Sequence, residues 1–293
     1  MSSLFRKVYD NVVYKMAFQP PECSYGAQEN ILFTTTRMGD KIAMRCVSDT
    51  GREMSKPSEY EAGKRLLICA HGNADDIGTF DQYAKQLAVD QGRCVLWFDF
   101  CGYGRSAGVL TTERNMSDAL VGVVEYATNV LHVPQNKIVL FGKSIGTAPV
   151  IKVAAQSNLR GVGGVVLVSP LASGVRATVP AYIATADAFG LLDSLFADNL
   201  RLITRVEAPV LLVHGYNDTI IDVVNSRMLQ SRLSRSSSYP PLYVAAGHND
   251  IESQHPVIFK KTVRDFLKHC DKAFDIQAET EVAPAQARLI DVD

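Results

Sequence analysis

The sequence predicts an α/β fold in which a mostly parallel, eight-stranded sheet is flanked by helices, and three observations predict it. Short β-branched runs alternate with longer helix-like stretches along most of the chain, the rhythm of repeated β-α-β units. From the third run onward the strand candidates are apolar throughout, with little in-out alternation, as parallel strands covered on both faces read. Finally, 293 residues with 47% hydrophobic and 21% charged content suit one large globular core rather than a disordered or membrane-embedded chain.

In chain order, residues 1–27 form a first segment with Leu4, Phe5, Val8, Tyr9, Val12 and Met16 at helical spacing beside Arg6, Lys7 and Lys15. Such an amphipathic basic stretch suits an anionic membrane surface or a docking face on the domain. Peripheral membrane contact through residues 4–16 is therefore one of two open readings. The domain proper is expected over residues 28–271. Strands are predicted at 31–37 and 41–47, an antiparallel hairpin turning at Met38-Gly39-Asp40, and then at 65–70, 93–98, 137–141, 164–168, 209–213 and 241–245. Helices are predicted at 78–90, 116–131, 144–155, 223–233 and 256–270, each joining two strands or closing the chain. Residues 170–204 are too long for an ordinary connection and predict a helix plus a short cap. Within it, Val179, Tyr182, Ile183 and Phe189 suit either an acyl groove or helix packing. Residues 272–293, acidic toward the end and poor in aromatics, read as a flexible tail.

Bulk properties narrow the partners. A net charge of −1 without a Lys/Arg block argues against nucleic-acid binding. The cysteines at 23, 46, 69, 94, 101 and 270 lack metal-binding spacing and fall mostly on or beside apolar runs, so free buried thiols are expected. The absence of a signal-like core, or of an apolar run of the roughly 18 residues that span a bilayer, predicts an intracellular, cytoplasmic location, with the cytosolic face of membranes as the peripheral option.

The chemistry lies in Gly142-Lys143-Ser144-Ile145-Gly146, a G-x-S-x-G pattern between the apolar run ending at Phe141 and a helix-like stretch. A nucleophile elbow needs this strand-turn-helix context, with glycines where side chains would strike the neighbouring strand and helix. Ser144 is the candidate nucleophile of an α/β-hydrolase fold. Its hydroxyl needs a base held by a carboxylate, and in this fold the chain order is Ser, acid, His. Asp218 follows the run Val210–Val213 and His248 follows Leu242–Ala245. Asp222 and His255 are nearby rivals, the weaker ones because each falls at a helix start. His214 reads as a packed structural residue. The oxyanion hole calls for two N–H donors. Ile145, after the nucleophile, supplies one, and the loop His71-Gly72-Asn73-Ala74 supplies the other, from Asn73 ahead of Ala74. No cofactor or metal is required, and a small acyl ester or thioester is the substrate class this chemistry suits.

Several segments in one order resemble the alpha/beta-hydrolase domain-containing protein 17 family: Ala17-Phe18-Gln19-Pro20-Pro21-Glu22, His71-Gly72-Asn73-Ala74, Asp99-Phe100-Cys101-Gly102-Tyr103-Gly104-Arg105-Ser106, Gly142 to Thr147, Ser169 to Gly174 and Ala246 to Glu252. The resemblance spans about residues 12–270. It implies a membrane-associated thioesterase that removes palmitate from protein cysteines, with Ser144, Asp218 and His248 as its triad. Two features depart from that family. The first twenty residues hold no cysteine cluster, and Lys143 stands where an uncharged Gln is usual. Lys143 either lowers the affinity of the site for other cations or draws an anionic substrate group or, on the plainer reading, pairs with Asp75 or Asp76. A peptidase of the prolyl-oligopeptidase type or a general carboxylesterase is the alternative activity.

Overall fold

A computed structural model describes residues 17–26, 30–108, 110–159, 161–179, 181–185 and 193–287. The strands are β1 Leu32–Thr35, β2 Lys41–Val47, β3 Glu53–Met54, β4 Leu66–Ala70, β5 Cys94–Phe98, β6 Ile138–Lys143, β7 Gly164–Val168, β8 Val210–Gly215 and β9 Leu242–Val244. They form one sheet in the order β1-β2-β5-β4-β6-β7-β8-β9, with β3 paired to β2. Strands β4 to β9 pair in parallel, and β2 runs antiparallel to β1, β3 and β5. The expected hairpin turns at Gly39, with φ +90° and Thr36 N–H donating to Asp40 O at 2.8 Å. The sheet thus has nine strands rather than eight, because a two-residue strand such as β3 carries no periodicity to read.

Nine helices accompany the sheet among the described residues: α1 Asp81–Gln91, α2 Glu113–Asn129, α3 Thr147–Ala154, α4 Gly174–Ala177, α5 Ala181–Ala184, α6 Asn199–Leu202, α7 Val224–Arg232, α8 Ile251–Gln254 and α9 Pro256–Ala287. Alternate residues of each central strand serve opposite faces. Leu66, Ile68 and Ala70 of β4 pack with α2 and α3, whereas Leu67 and Cys69 pack with α1 and α9. Both faces are covered, so all five residues of β4 are buried and the run reads as continuously apolar. Each buried Leu or Val contributes about 1.5–3 kcal/mol of transfer free energy.

Helix boundaries follow local chemistry. The chain enters α1 later than residue 78 because Asp76 Oδ1 gathers the N–H groups of Gly78 and Thr79 in a turn. Helix α2 starts earlier than expected, at a capping box in which Thr112 and Asn115 exchange side-chain-to-backbone hydrogen bonds. Helix α9 continues past residue 270 through Ala287, so residues 272–287, expected as tail, extend it. Residues 17–26, the described part of the expected first segment, pack on the domain. Phe18 packs edge-on against Phe196, Ser24 bonds Asp76, and Tyr25 O–H donates to Asp99. The amphipathic stretch at 4–16 lies outside the described residues.

The 170–204 region forms α4, α5, a 3₁₀ turn at Asp193–Leu195 and α6. A buried Arg176–Asp193 ion pair, bonded also by Ser173 Oγ, ties its two halves. Ala197 N–H donates to Glu113 at 3.1 Å and anchors it to α2. Phe189 lies outside the described residues. All six cysteines are free, with Cys23 exposed and the others buried. Among the described residues, no helix is long and apolar enough to cross a membrane.

Candidate active site

The site lies at the C-terminal ends of β4, β6, β8 and β9, where a parallel sheet leaves its loops and helix starts together. Ser144 sits between β6 and a 3₁₀ turn at Ser144–Gly146 that leads into α3. Its φ is +53°, a left-handed conformation that costs a non-glycine residue about 1–3 kcal/mol. Close packing enforces this bend. A Cβ on Gly146 would lie 2.5 Å from His71 O and closer still to Ala70 O, and one on Gly142 would lie 2.8 Å from Gly146 O and Thr147 Cα. All of these obstacles are backbone, so neither position admits a side chain.

Asp218 and His248, the candidate acid and base, arrive on two loops that are zipped together. Tyr216 N–H donates to Val244 O at 2.7 Å and Asn217 N–H to Ala246 O at 2.9 Å. A side chain on Gly215 would overlap Ala246 O, so the loops meet this closely only with glycine there. As a result His248 Nδ1 lies 2.6 Å from Asp218 Oδ2, and His248 Nε2 lies 2.8 Å from Ser144 Oγ. With the proton on the ring nitrogen that faces the carboxylate, Nε2 is left as an acceptor toward the Ser144 hydroxyl. Asp222 and His255 stand elsewhere. Asp222 Oδ1 accepts from Val224 N–H at the start of α7, and His255 Nε2 lies 3.1 Å from Ala245 O.

Asp218 is strongly held. Its Oδ1 accepts the N–H groups of Ile220 and Ile221 at 2.9 and 2.8 Å. Burial pushes its carboxyl up, but the bonds from His214, His248 and the Ile221 N–H outweigh burial and hold it well below the usual carboxylate range. His214, read from the sequence only as packed, is fully buried against this carboxylate, with Nε2 at 3.1 Å from Asp218 Oδ2. Its place at a strand end four residues before the acid is the only signal the sequence offered.

The loop after β4 lies against the elbow, since a Cβ on Gly72 would come 3.9 Å from Ser144 Cβ. His71 shapes this loop. Its Nδ1 lies 2.7 Å from Gly72 O, and its buried ring packs on Phe100 at 4.5 Å between centroids. Asn73 is fixed by its side chain, donating to Ala17 O at 2.7 Å and accepting from Gln19 N–H at 2.9 Å and Tyr103 O–H at 2.7 Å. The strap at residues 17–19 therefore holds the loop that carries the candidate Asn73 donor, a link invisible in the sequence.

Lys143 corrects an expectation. It does not pair with Asp75 or Asp76. Its Nζ lies 3.6 Å from Glu252 on α8 and over the Tyr83 ring at 5.0 Å, and Tyr83 O–H donates to the same Glu252 oxygen at 2.8 Å. Glu252 lies four residues after His248, on the short helix that follows its loop, so this cluster ties the elbow to the segment that carries the histidine. Among the described residues, no group of three His, Cys, Asp or Glu side chains is arranged to hold a metal ion.

Comparison with known proteins agrees with this geometry at the level of fold and family. A family model described as serine aminopeptidase, S33, matches residues 61–195. An esterase from Pyrococcus furiosus superposes with a TM-score of 0.67 at 18% identity, covering 86% of this chain and 99% of its own. A ferulic-acid-bound esterase, Est1E from Butyrivibrio proteoclasticus, superposes at 0.63 and 17% identity, over 82% and 99%. These likenesses place the chain in the α/β-hydrolase fold. Closer in sequence, the Caenorhabditis elegans alpha/beta hydrolase domain-containing protein aho-3 is 31% identical over 83% of this chain and 74% of its own length. Human alpha/beta hydrolase domain-containing protein 17B is 33% identical over 75% and 69%. The chain belongs to the alpha/beta hydrolase domain-containing protein 17 family.

Proposed function

We propose that this α/β hydrolase is a serine hydrolase that cleaves acyl esters and thioesters, acting as an acyl-protein thioesterase. The observation that carries the reading is His248 bridging Ser144 Oγ at 2.8 Å and Asp218 Oδ2 at 2.6 Å. In the acylation step His248 Nε2 takes the Ser144 hydroxyl proton as Oγ attacks the carbonyl carbon. Asp218 fixes the tautomer and stabilises the imidazolium. The N–H groups of Ile145 and Asn73 receive the oxyanion, each such donor accounting for about two to three orders of magnitude in rate. His248 then protonates the leaving thiolate or alkoxide, and a water activated by the same nitrogen releases the acid and restores Ser144.

The resemblance of the sequence segments supports palmitoyl thioesters as the substrate class. Membrane contact through residues 4–16 would place the site near such substrates. The serine aminopeptidase description of the matching family model favours amide cleavage as the alternative. A series of thioesters, oxoesters and amides of the same acyl groups, from acetyl to palmitoyl, separates the readings. The proposal expects kcat/KM to rise with chain length and thioesters to exceed amides by orders of magnitude. Preferential amide turnover contradicts it.

A further inference from the structure

Asp218 Oδ2 accepts from two histidines. His248 Nδ1 stands 2.6 Å from it on the side of Ser144, and His214 Nε2 stands 3.1 Å from it on the side of the core. The same His214 nitrogen lies 2.8 Å from Ile221 O. Nε2 therefore faces two oxygen acceptors and carries the proton, shared between them. The other ring nitrogen, Nδ1, lies 2.6 Å from Ser226 Oγ on α7 and accepts the serine hydroxyl proton. Ring and serine are both fully buried, so water offers no competing bond to either.

We infer that His214, oriented by Ser226, is a positioning residue for the hydrolytic reaction: it pins the Asp218 carboxylate and shares the oxygen that orients His248. The inference rests on the reading of Ser144, Asp218 and His248 as the catalytic set. Two consequences follow from the sharing. The His214 bond fixes the plane of the carboxylate together with the Ile220 and Ile221 N–H groups, and misplacement of a reacting group by about 1 Å costs on the order of a hundredfold in rate. The bond also withdraws negative charge from Oδ2, so the oxygen attracts the His248 cation less than an unshared carboxylate would. Removing His214 therefore slows the reaction and at the same time makes His248 harder to deprotonate.

The surroundings leave few other charges to account for such a change. Asp222 is engaged by Val224 N–H and Asp250 by Gly247 N–H. Ser169 Oγ meets His248 through its carbonyl at 3.5 Å, and Lys143 and Glu252 compensate each other at 3.6 Å.

The test uses the full chain and a soluble octanoyl thioester. His214→Leu is expected to lower kcat about 10- to 100-fold with KM little changed, and to move the acidic limb of the kcat/KM profile to higher pH. His214→Gln, whose amide nitrogen sits where imidazole Nε2 does, is expected to restore most of the rate and the limb. A residue that only fills space would lower thermal stability without moving the limb, and Gln would rescue no better than Leu; that result overturns the inference. Should His214→Leu fail to fold, Ser226→Ala decides. A severalfold loss of kcat with the same limb shift supports the role, and a wild-type profile overturns it. Wild-type turnover with an unaltered His214→Leu profile removes only this inference. A wild-type chain that turns over no acyl substrate removes the reading of the site and the inference with it.

Discussion

The two halves of the site are held by different physics. On the nucleophile side the backbone is bent by close packing: Ser144 keeps φ at +53° while Gly142 and Gly146 sit against backbone atoms that leave no room for a side chain. On the side of Asp218 and His248 hydrogen bonds do the holding, with Asp218 bonded to Ile220, Ile221, His214 and His248. Steric constraint fails all at once when an atom is added. A hydrogen-bonded array loses function in steps, one donor at a time. Mutations on the first side should therefore appear mainly as lost stability, and mutations on the second as lost rate in a folded protein.

The sharpest way to break this contrast is Asp218→Asn. The fold should survive while kcat/KM falls by about four orders of magnitude, as expected when the tautomer of the base is no longer fixed; an unfolded variant by circular dichroism would contradict the division. Gly146→Ala should do the opposite. Its Cβ would strike the backbone of residues 70 and 71, so overpacking should cost about 1–3 kcal/mol or more, read as a fall in Tm. Asn73→Ala keeps the loop N–H but cuts its ties to Ala17, Gln19 and Tyr103. Under the proposed function it should lower kcat about tenfold, since a candidate oxyanion donor left free to wander would lose part of the two to three orders such a donor supplies. A smaller effect concerns pH. Asp218 has a depressed carboxyl, so its contribution to stability is fully present above the unfolded-state value near ~4 and is lost as pH falls below it. Acid unfolding of Asp218→Asn should consequently be shallower than that of wild type below about pH 4.

The same contrast explains what could be read from the sequence. Packing leaves marks in the chain: β4 is continuously apolar because both faces are covered, and the elbow glycines recur at fixed spacing around Ser144. Asp218 and His248 were chosen by order along the chain, each just past a strand, and the sheet brings both beside Ser144. Hydrogen-bonded partners leave weaker marks. Nothing local says that His214 reaches Asp218, that Glu252 rather than Asp75 meets Lys143, or that residues 17–19 grip Asn73 across more than fifty positions. These depend on which loops the sheet order brings together. The two residues of β3 and the extension of α9 to Ala287 escaped for a simpler reason, since one is too short for a period and the other lies where composition favours solvent over packing.

The most direct test of the central claim is covalent labelling of Ser144. A fluorophosphonate probe should modify the wild-type chain at a single peptide containing Ser144. Labelling should vanish in Ser144→Ala and slow by several orders of magnitude in His248→Ala, because the hydroxyl is unreactive without its base. Labelling that persists in Ser144→Ala, or a wild-type protein that remains folded and unlabelled, would contradict the account.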